Sequence, residues 1–340
     1  MWWKRHTYYF VKPFLPRTLR IALRRWWAQS RKGRFASSWP ISPSAGQAPE
    51  GWPGWPGGKE FAVVLTHDVE RSEGLERCRQ LMELEAKLGF RSSFNFVPEG
   101  DYSTPREFRE FLTNSGFEVG VHDLRHDGKL YLTRAIFRKN AEKINRYLAD
   151  WNAAGFRGGF MHHRLDWLHK LNVLYDSSTF DTDPFEPQPD GVDTIFPFWI
   201  PRPGGGYVEL PYTLTQDFTM FVLLSERTTA IWERKLDWIA QNGGMVLINT
   251  HPDYMDFGGS GCGPGLFPGS LYEGFLKKLA SKYEGRYWHA LPKGMAEFAL
   301  ENKNILRLRP TALNVPSYRA VSLHRDEFTA ASCLIDCSSG

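Results

Sequence analysis

The chain has 340 residues, with 42 Lys or Arg against 38 Asp or Glu, which gives a formal net charge of +4. The charge is uneven, because residues 1–49 hold ten basic residues and no acidic one, so the remainder is mildly acidic. The positive charge therefore does not indicate nucleic-acid binding by the globular part, and no apolar run approaches the roughly 20 residues of a transmembrane helix.

Residues 1–40 form a basic, aromatic arm. Its apolar residues follow helical spacing, with arginines between them: Leu15, Leu19, Ala22, Leu23 and Trp26. This pattern is typical of a helix on an anionic membrane surface, although an arm packed on its own domain, or a disordered tail, has the same composition. Residues 1–40 are thus a candidate peripheral membrane contact.

The start of the chain does not resemble a signal peptide, because Pro13, Pro16 and several arginines interrupt its apolar residues. Four scattered cysteines are too few for a disulfide scaffold at this length and favour free thiols in a reducing compartment. These features favour the cytoplasm, with the inner membrane surface as a second location if the arm binds lipid.

Proline and glycine dominate residues 41–58, which predicts a linker without helix or strand. Strands and helices alternate from residue 61 onward, whereas residues 303–340 show no clear period. The chain is accordingly divided into an arm and linker (1–58), an α/β domain (59–302) and a C-terminal tail (303–340).

Within the α/β domain, apolar patterns predict these strands: 61–67, 91–97, 117–121, 155–158, 172–176, 244–250, 286–289, and a hairpin of 195–200 with 207–210 around Gly204–Gly206. Helical spacing predicts these helices: 71–88, 105–115, 132–150, 227–242, 270–283 and 292–302. Repeated βα units of this kind build a parallel sheet, either a barrel or an open doubly wound sheet.

Polar residues recur where predicted strands end. Asp68, His122, Arg157 and His251 follow four separate strands. In barrels and open α/β sheets, active sites are built at the carboxyl ends of the strands. The sequence therefore predicts one site that combines these side chains.

His122 and His126 are four residues apart, which on one helical turn would place both imidazoles on the same face. Two imidazoles on one face are a common way to hold a metal ion. Such pairs are also often merely solvated, so the spacing alone leaves both interpretations open.

Four segments occur in a recognisable order: Thr66-His67-Asp68-Val69-Glu70, His122-x-x-x-His126, Gly155-Phe156-Arg157-Gly158-Gly159 and Asn249-Thr250-His251-Pro252. They resemble the ordered motifs of the polysaccharide deacetylase family, over roughly residues 60–300. The resemblance implies a distorted (β/α) barrel and a metal-dependent carbohydrate esterase.

The resemblance also implies roles for individual residues. Asp68 matches the family's base and His251 its acid, and Arg157 matches the arginine that orients the base. The matched metal ligands are Glu70, His122 and His126. Two departures stand out: Val69 separates the two acids, the second of which is Glu, and no proline follows Arg157, so Arg164 is an alternative orienting group.

Two imidazoles and one carboxylate leave an open position on Zn²⁺, although Co²⁺, Mn²⁺ or Ni²⁺ could occupy the same ligands. A metal there would activate water and polarise an amide carbonyl, Asp68 could take the proton, and His251 could protonate the leaving amine. A carboxylate behind His251 would support that role, and Asp176 or Asp181 is the candidate. We expect a hydrolase that removes N-acetyl groups from a sugar or polysaccharide.

Three alternatives stay open: a hydrolase of a non-sugar amide, an inactive carbohydrate-binding protein with the same fold, and a membrane-tethered assembly factor. The sugar, its linkage and the oligomeric state are not specified. Several further residues are candidates for the pocket or, equally, for the core or an inert loop: His67, His162, His163, Trp167, Trp199, Tyr254, Phe257 and the segment Gly258–Gly265.

Overall fold

The computed structural model describes residues 17–258, 263 and 265–307. Residues 1–16, most of the glycine-rich segment after Gly258 and residues 308–340 lie outside the description, with Cys262, Cys333 and Cys337 among them. The remaining cysteine, Cys78, is a buried free thiol.

The α-helices are α1 (Arg17–Arg31), α2 (Ser72–Lys87), α3 (Arg106–Asn114), α4 (Arg134–Asp150), α5 (Leu165–Leu168), α6 (Ala230–Gln241), α7 (Gly269–Lys282) and α8 (Pro292–Glu301). The strands are β1 (Phe61–Val69), β2 (Ser93–Phe96), β3 (Glu118–His122), β4 (Gly155–Arg157), β5 (Tyr175–Asp176), β6 (Phe198–Arg202), β7 (Gly205–Glu209), β8 (Met245–Thr250), β9 (Met255–Asp256), β10 (Phe267–Pro268) and β11 (Tyr287–His289). A π-helix spans Phe218–Leu223.

One nine-stranded sheet dominates the described residues, in the order β11-β1-β2-β3-β4-β5-β7-β6, with β8 also paired to β1. Its pairings are parallel, except for the antiparallel hairpin of β6 and β7. The segment after β7 returns to β8, since Leu214 bridges to Ile248 and the Thr213 N–H donates to the Leu247 carbonyl. This contact closes the sheet into the distorted barrel that the sequence predicted.

Register brings the polar strand ends together. Asp68 on β1 lies opposite Asn95 on β2, and Thr66 lies opposite Asn249 on β8. On the next pair, His122 of β3 lies opposite Arg157 of β4. The carboxyl edge of the barrel is therefore a patch of polar groups above an apolar core.

Strand β1, which pairs with β2, β8 and β11, is covered on both faces. All nine residues of β1 are buried, as expected of a parallel strand that carries helices on its faces. A run of apolar residues that is buried on both faces loses its alternation, which is why β1 and β8 appear as continuous apolar segments in the sequence.

The predicted helices and strands agree with the observed ones to within a few residues. Residues 41–58 contain short 3₁₀ turns at Pro43–Gly46 and Pro56–Gly58 and no strand. They also pack on the barrel, because Trp55 is buried and its indole N–H donates to the Gly243 carbonyl at 2.8 Å. The division at residue 58 stays a prediction.

Helix α1 lies against the barrel at the level of the π-helix. Its Arg25 guanidinium donates to the Val222 carbonyl at 3.0 Å, and the Gln29 amide donates to the Leu223 carbonyl at 3.4 Å. No helix in the described part of the chain is long and apolar enough to cross a membrane.

Candidate active site

Asp68 occupies the centre of the polar patch, and donors surround its buried carboxylate. Oδ1 accepts from Asn95 Nδ2 at 3.0 Å and from Arg157 Nη1 at 3.1 Å, and Oδ2 accepts from Asn249 Nδ2 at 2.8 Å. Burial alone would raise the pKa of Asp68, but the Arg157 charge, His122, His251 and the Asn95 hydrogen bond hold it well below its usual range. The carboxylate is therefore ionised and fixed in orientation.

Arg157 is the group that positions Asp68. Its guanidinium is buried and also donates to Thr66 Oγ1 at 2.9 Å, and to the Ser177 carbonyl and hydroxyl at 2.7 and 2.6 Å. Arg164, the alternative left open by the sequence, lies outside this network with its guanidinium over the Trp167 ring. The structure thus brings Arg157, and not Arg164, into contact with Asp68.

Glu70, His122 and His126 form a cluster with the composition of a metal site. One potential ligand atom from each residue lies within 4.8 Å of the others, and His126 Nε2 is 3.3 Å from Glu70 Oε1. His126 and His251 outweigh the effect of burial and hold the pKa of Glu70 below its usual range, so the carboxylate is ionised. Tyr254 donates to the other Glu70 oxygen at 2.9 Å, which fixes the side chain.

The tautomer of His122 supports ligation. Its Nδ1–H donates to the Arg157 carbonyl at 3.2 Å, and in the neutral imidazole with this tautomer the free lone pair lies on Nε2. That Nε2 is buried and has no hydrogen-bond partner among the residues that the structure describes. A histidine ligand with its second ring nitrogen bonded to a backbone carbonyl is a usual arrangement in metal centres. The three residues therefore fit a divalent cation.

The predicted helical turn between His122 and His126 is wrong. His122 is the last residue of β3, and His126 lies in the loop that follows, with a φ of 52°. Asp123 also has a positive φ of 56°, and its N–H donates to the Arg157 carbonyl at 2.7 Å. Two left-handed residues turn the loop back, so the imidazole centroids come within 4.8 Å without a helix.

His251 faces the cluster from the end of β8 and is paired with Asp217. Its Nδ1 lies 2.6 Å from Asp217 Oδ1, its backbone N–H donates to Oδ2 at 2.7 Å, and its Nε2 lies 3.9 Å from Glu70 Oε1. Burial would lower the pKa of His251, but the Asp217, Glu70 and Asp68 carboxylates outweigh it and raise the pKa to about 10. The imidazole is a protonated donor held by a carboxylate.

The predicted carboxylate partners of His251 are wrong. Asp176 accepts from the Ser178 hydroxyl at 2.8 Å, and Asp181 pairs with Lys235 at 2.7 Å, both away from His251. Asp217 comes instead from the residue before the π-helix, in a segment without strand or helix periodicity. Its place in the sequence, in Thr215-Gln216-Asp217, gives no sign of this role.

A pocket joins these groups. It is lined by Asp68, Glu70, His122, His251, Tyr254, Phe218, Phe160, Met161, Thr219, Gln216, Glu186, Pro187 and Arg24. Tyr254 and Phe160 provide ring surfaces of the kind that pack on sugars, and Arg24 comes from helix α1. The sequence did not predict Asn95, Asp217 or Arg24 as site residues.

Other candidates from the sequence lie elsewhere. His67 is buried between Thr250 and Glu85, with Nδ1 2.7 Å and Nε2 2.8 Å from their oxygens, on the core side of β1. His163 lies 3.5 Å from Asp190. His162, Trp167, Trp199 and Phe257 do not line the pocket, and residues 259–262 and 264 of the glycine-rich segment lie outside the described residues.

Comparison with solved structures identifies the fold. The chain is similar to a candidate polysaccharide deacetylase from Mycobacterium smegmatis, with a TM-score of 0.55 and 19% identity over 75% of this chain and 94% of that one. A second match is the peptidoglycan deacetylase PdaC from Bacillus subtilis, with a TM-score of 0.41 and 11% identity over 72% of this chain and 93% of that one. A third is a family 4 acetyl xylan esterase from Clostridium thermocellum in complex with a cobalt ion, with a TM-score of 0.39 and 15% identity over 71% of this chain and 92% of that one. No protein-family model and no curated protein matches the sequence. The resemblance to polysaccharide deacetylases is thus confirmed at the level of the fold.

Proposed function

We propose that this protein is a metal-dependent hydrolase that removes the N-acetyl group from a sugar or polysaccharide. The observation that carries the proposal is the convergence of three groups in one pocket: the ligand cluster, Asp68 with Arg157, and His251 with Asp217. These side chains come from the ends of four strands, β1, β3, β4 and β8, and from segments that lie between strands, so packing of the core alone does not account for their convergence.

Glu70, His122 and His126 would hold the cation. Zn²⁺ suits two imidazoles and one carboxylate with an open position, and Co²⁺, Mn²⁺ and Ni²⁺ share these ligand preferences. Bound there, the cation would supply Lewis-acid polarisation of the amide carbonyl and a lowered pKa for the attacking water.

Asp68 would accept a proton from that water. Three donors hold its carboxylate, and His122 Nδ1 lies 3.9 Å from Oδ2, so the oxygens face the ligand cluster. Arg157 and the two asparagines would keep the carboxylate from rotating, so it would stay oriented toward the water during the reaction.

His251 would donate a proton to the leaving amine. Its Nδ1 is held by Asp217, which leaves Nε2–H directed toward the pocket near Glu70. Water and the amide would be consumed and acetic acid and the amine formed, which become acetate and an ammonium group at neutral pH. The proton that Asp68 takes from water replaces the one that His251 gives to the amine.

The direct test is acetate release from a panel of N-acetylated oligosaccharides by the full-length protein loaded with Zn²⁺. We expect release by the wild type and a loss of roughly 10²-fold or more in Asp68→Asn, because the amide cannot accept the proton. Asp68→Asn should keep its bound zinc, whereas His122→Ala should lose both zinc and activity.

The outcomes separate the alternatives. If no sugar releases acetate although one equivalent of metal is bound through His122 and His126, deacetylation of sugars is refuted. Turnover of a non-sugar amide would then identify a different hydrolase, and sugar binding without turnover would identify an inactive carbohydrate-binding protein.

A further inference from the structure

Helix α1 exposes a strip of large apolar side chains. Leu19 is 46% exposed, Leu23 54% and Trp26 70%, and in the described part of the chain these are the large hydrophobic residues that lie exposed. Their spacing of four and three residues places them on one face of the helix. The opposite face packs on the barrel through Ala28, which is fully buried, and Ile21.

The sequence around the strip is basic. Ten Lys or Arg and no acidic residue occur in residues 1–49, and seven of the ten lie from Arg17 onward. Arg31 and Arg34 are exposed at the end of the helix and just beyond it. An apolar strip flanked by cationic side chains is complementary to an anionic lipid surface. The apolar side chains would enter the boundary between headgroups and acyl chains, and the cationic side chains would contact the lipid phosphates.

The same helix forms a wall of the pocket. Arg24 lines the pocket, with its guanidinium 5.1 Å from the centroid of the Phe218 ring. Phe218 packs on Tyr254 with centroids 5.0 Å apart, and Tyr254 donates to Glu70 at 2.9 Å. Three contacts therefore join a residue of α1 to the ligand cluster.

The attachment of α1 is specific. Besides the Arg25 and Gln29 bonds to the π-helix, Lys32 just after α1 pairs with Glu226. Polar contacts along one side fix the helix, so its apolar strip faces away from the barrel at the rim of the pocket. A surface that docked on the strip would lie beside the pocket.

We propose that α1 docks on an anionic lipid bilayer through Leu19, Leu23 and Trp26 and so holds the pocket at the membrane surface, where the substrate is a lipid-anchored N-acetylated sugar. The docking stands on the surface of α1 alone, while the identity of the substrate rests on the proposed function. Arg24, inside the pocket and next to the docking face, is the cation that would meet an anionic link between sugar and lipid.

Sedimentation with vesicles tests the docking without any catalytic readout. We expect the full-length protein to bind vesicles of phosphatidylcholine with phosphatidylglycerol, to bind phosphatidylcholine alone more weakly, and to be released as NaCl rises from about 0.05 to about 0.5 M. Leu23→Glu and Trp26→Glu should each weaken binding about tenfold or more, because a carboxylate replaces the apolar group that would be buried in the bilayer.

Ala135→Glu is the matched control. It adds the same charge at an exposed position of α4, on another helix, and should bind vesicles like the wild type. Equal binding by the wild type and both α1 variants, or no binding to anionic vesicles, would overturn the docking. Self-association through the strip, seen as a concentration-dependent dimer that Trp26→Glu abolishes in the absence of lipid, would also overturn it.

The substrate half has its own test. We expect faster acetate release from an N-acetylglucosaminyl lipid in anionic vesicles than from the same sugar free in solution, and loss of that advantage in Leu23→Glu. An equal rate on both would overturn the lipid-anchored substrate. No acetate from either substrate or from the panel of N-acetylated oligosaccharides, with vesicle binding intact, would refute the proposed function while the docking remained supported.

Discussion

Two residues of the pocket, Asp68 and His251, are each held by hydrogen-bonding partners, and each has one partner of opposite charge. Arg157 and two asparagines hold Asp68, and Asp217 holds His251. Because Asp68 and His251, the proposed proton acceptor and donor, each have a fixed partner, a carboxylate and an imidazole of opposite charge face each other without either being free to rotate. The proposed reaction should therefore be sensitive to the partners as well as to Asp68 and His251.

Replacement of Asp217 by asparagine should lower kcat by roughly 10²-fold while the KM and the zinc content stay near the wild-type values. The amide nitrogen of the variant would donate to His251 Nδ1 and favour the neutral imidazole, whose Nε2–H is a much weaker acid than that of the imidazolium. Steady-state kinetics with matched metal analysis measure the effect.

Asp237→Asn serves as the comparison for Asp217→Asn. Asp237 is a carboxylate of α6 that pairs at the surface with Lys282 at 2.7 Å, so its loss should leave kcat unchanged. Equal kcat values for Asp217→Asn and the wild type would show that Asp217 does not position His251.

The sequence predicted the site residues that lie at strand ends, but it did not predict the residues that hold them in place. Asp68, His122, Arg157 and His251 all follow apolar runs, and a parallel sheet brings such ends together. Asp217 lies 34 residues from His251 in the chain, in a segment with no period, and the contacts of Thr213 and Leu214 with β8 bring that segment beside His251. Tertiary closure of this kind leaves no local signal.

At the scale of elements, β3 shows the limit of a spacing argument. The spacing of four residues from His122 to His126 predicted a helical turn, but β3 continues to His122, and left-handed Asp123 and His126 form the turn. The expectation that the two imidazoles lie together was correct and its physical reason was wrong, because the same spacing also fits a tight loop at a strand end.

The other end of β3 carries a buried acid that makes stability depend on pH. Glu118 accepts from the Tyr175 hydroxyl at 2.7 Å and the Lys293 N–H at 2.9 Å, and burial raises its pKa from an ordinary 4.5 to about 7. The folded state binds the proton more tightly, so this contribution is fully present below about pH 4.5 and is lost as the pH rises to about 7.

Glu118→Gln should remove that loss, because the amide is neutral at every pH and can still bond both partners. Between pH 5 and pH 8, the wild type should lose roughly 1–3 kcal/mol more unfolding free energy than the variant. Urea unfolding of both proteins at the two pH values measures the difference. Glu301→Gln, at an exposed position of α8, should behave like the wild type, and a parallel loss in Glu118→Gln would contradict the assignment.

Close packing at Gly120 in β3 also fixes the position of Asn95 in the pocket. A Cβ on Gly120 would lie 2.1 Å from Asn95 Oδ1, so Gly120→Ala must displace the amide that donates to Asp68 at 3.0 Å. We expect a loss of about 1–3 kcal/mol in stability from the clash, and roughly tenfold lower kcat from the freed carboxylate.

Gly274→Ala is the matched substitution for Gly120→Ala. Gly274 lies inside α7, and its Cβ would meet no atom within 4 Å, so the variant should gain about 0.5–1 kcal/mol with unchanged kcat. Thermal unfolding and acetate release measured on the pair distinguish the clash from a general effect of removing glycine. A Gly120→Ala protein with wild-type stability and kcat would show that Asn95 can move freely.

Over the whole molecule, the segment before the barrel is joined to the core instead of merely preceding it. Trp39 donates to Thr215 Oγ1 at 2.9 Å, next to the segment that leads to Asp217. Trp55 lies 6.3 Å from Phe196 with nearly parallel rings and 5.6 Å from Phe298. Proline and glycine predicted the absence of strands here, but composition does not show whether tryptophans in a linker are buried.

Trp55→Ala should therefore cost about 3–5 kcal/mol, because it leaves a large cavity and removes the hydrogen bond to the Gly243 carbonyl. Trp26→Ala is the matched control, since Trp26 is 70% exposed on α1 and its loss should change the free energy of unfolding by less than about 0.5 kcal/mol. Denaturant unfolding of the two variants of the full chain measures both values.

A cost below about 1 kcal/mol for Trp55→Ala would mean that residues 41–58 are a separable linker, and that the barrel folds from residue 59 as the sequence division predicted. A large cost would place the start of the folded unit before Trp55 and would explain how α1 is held at the rim of the pocket.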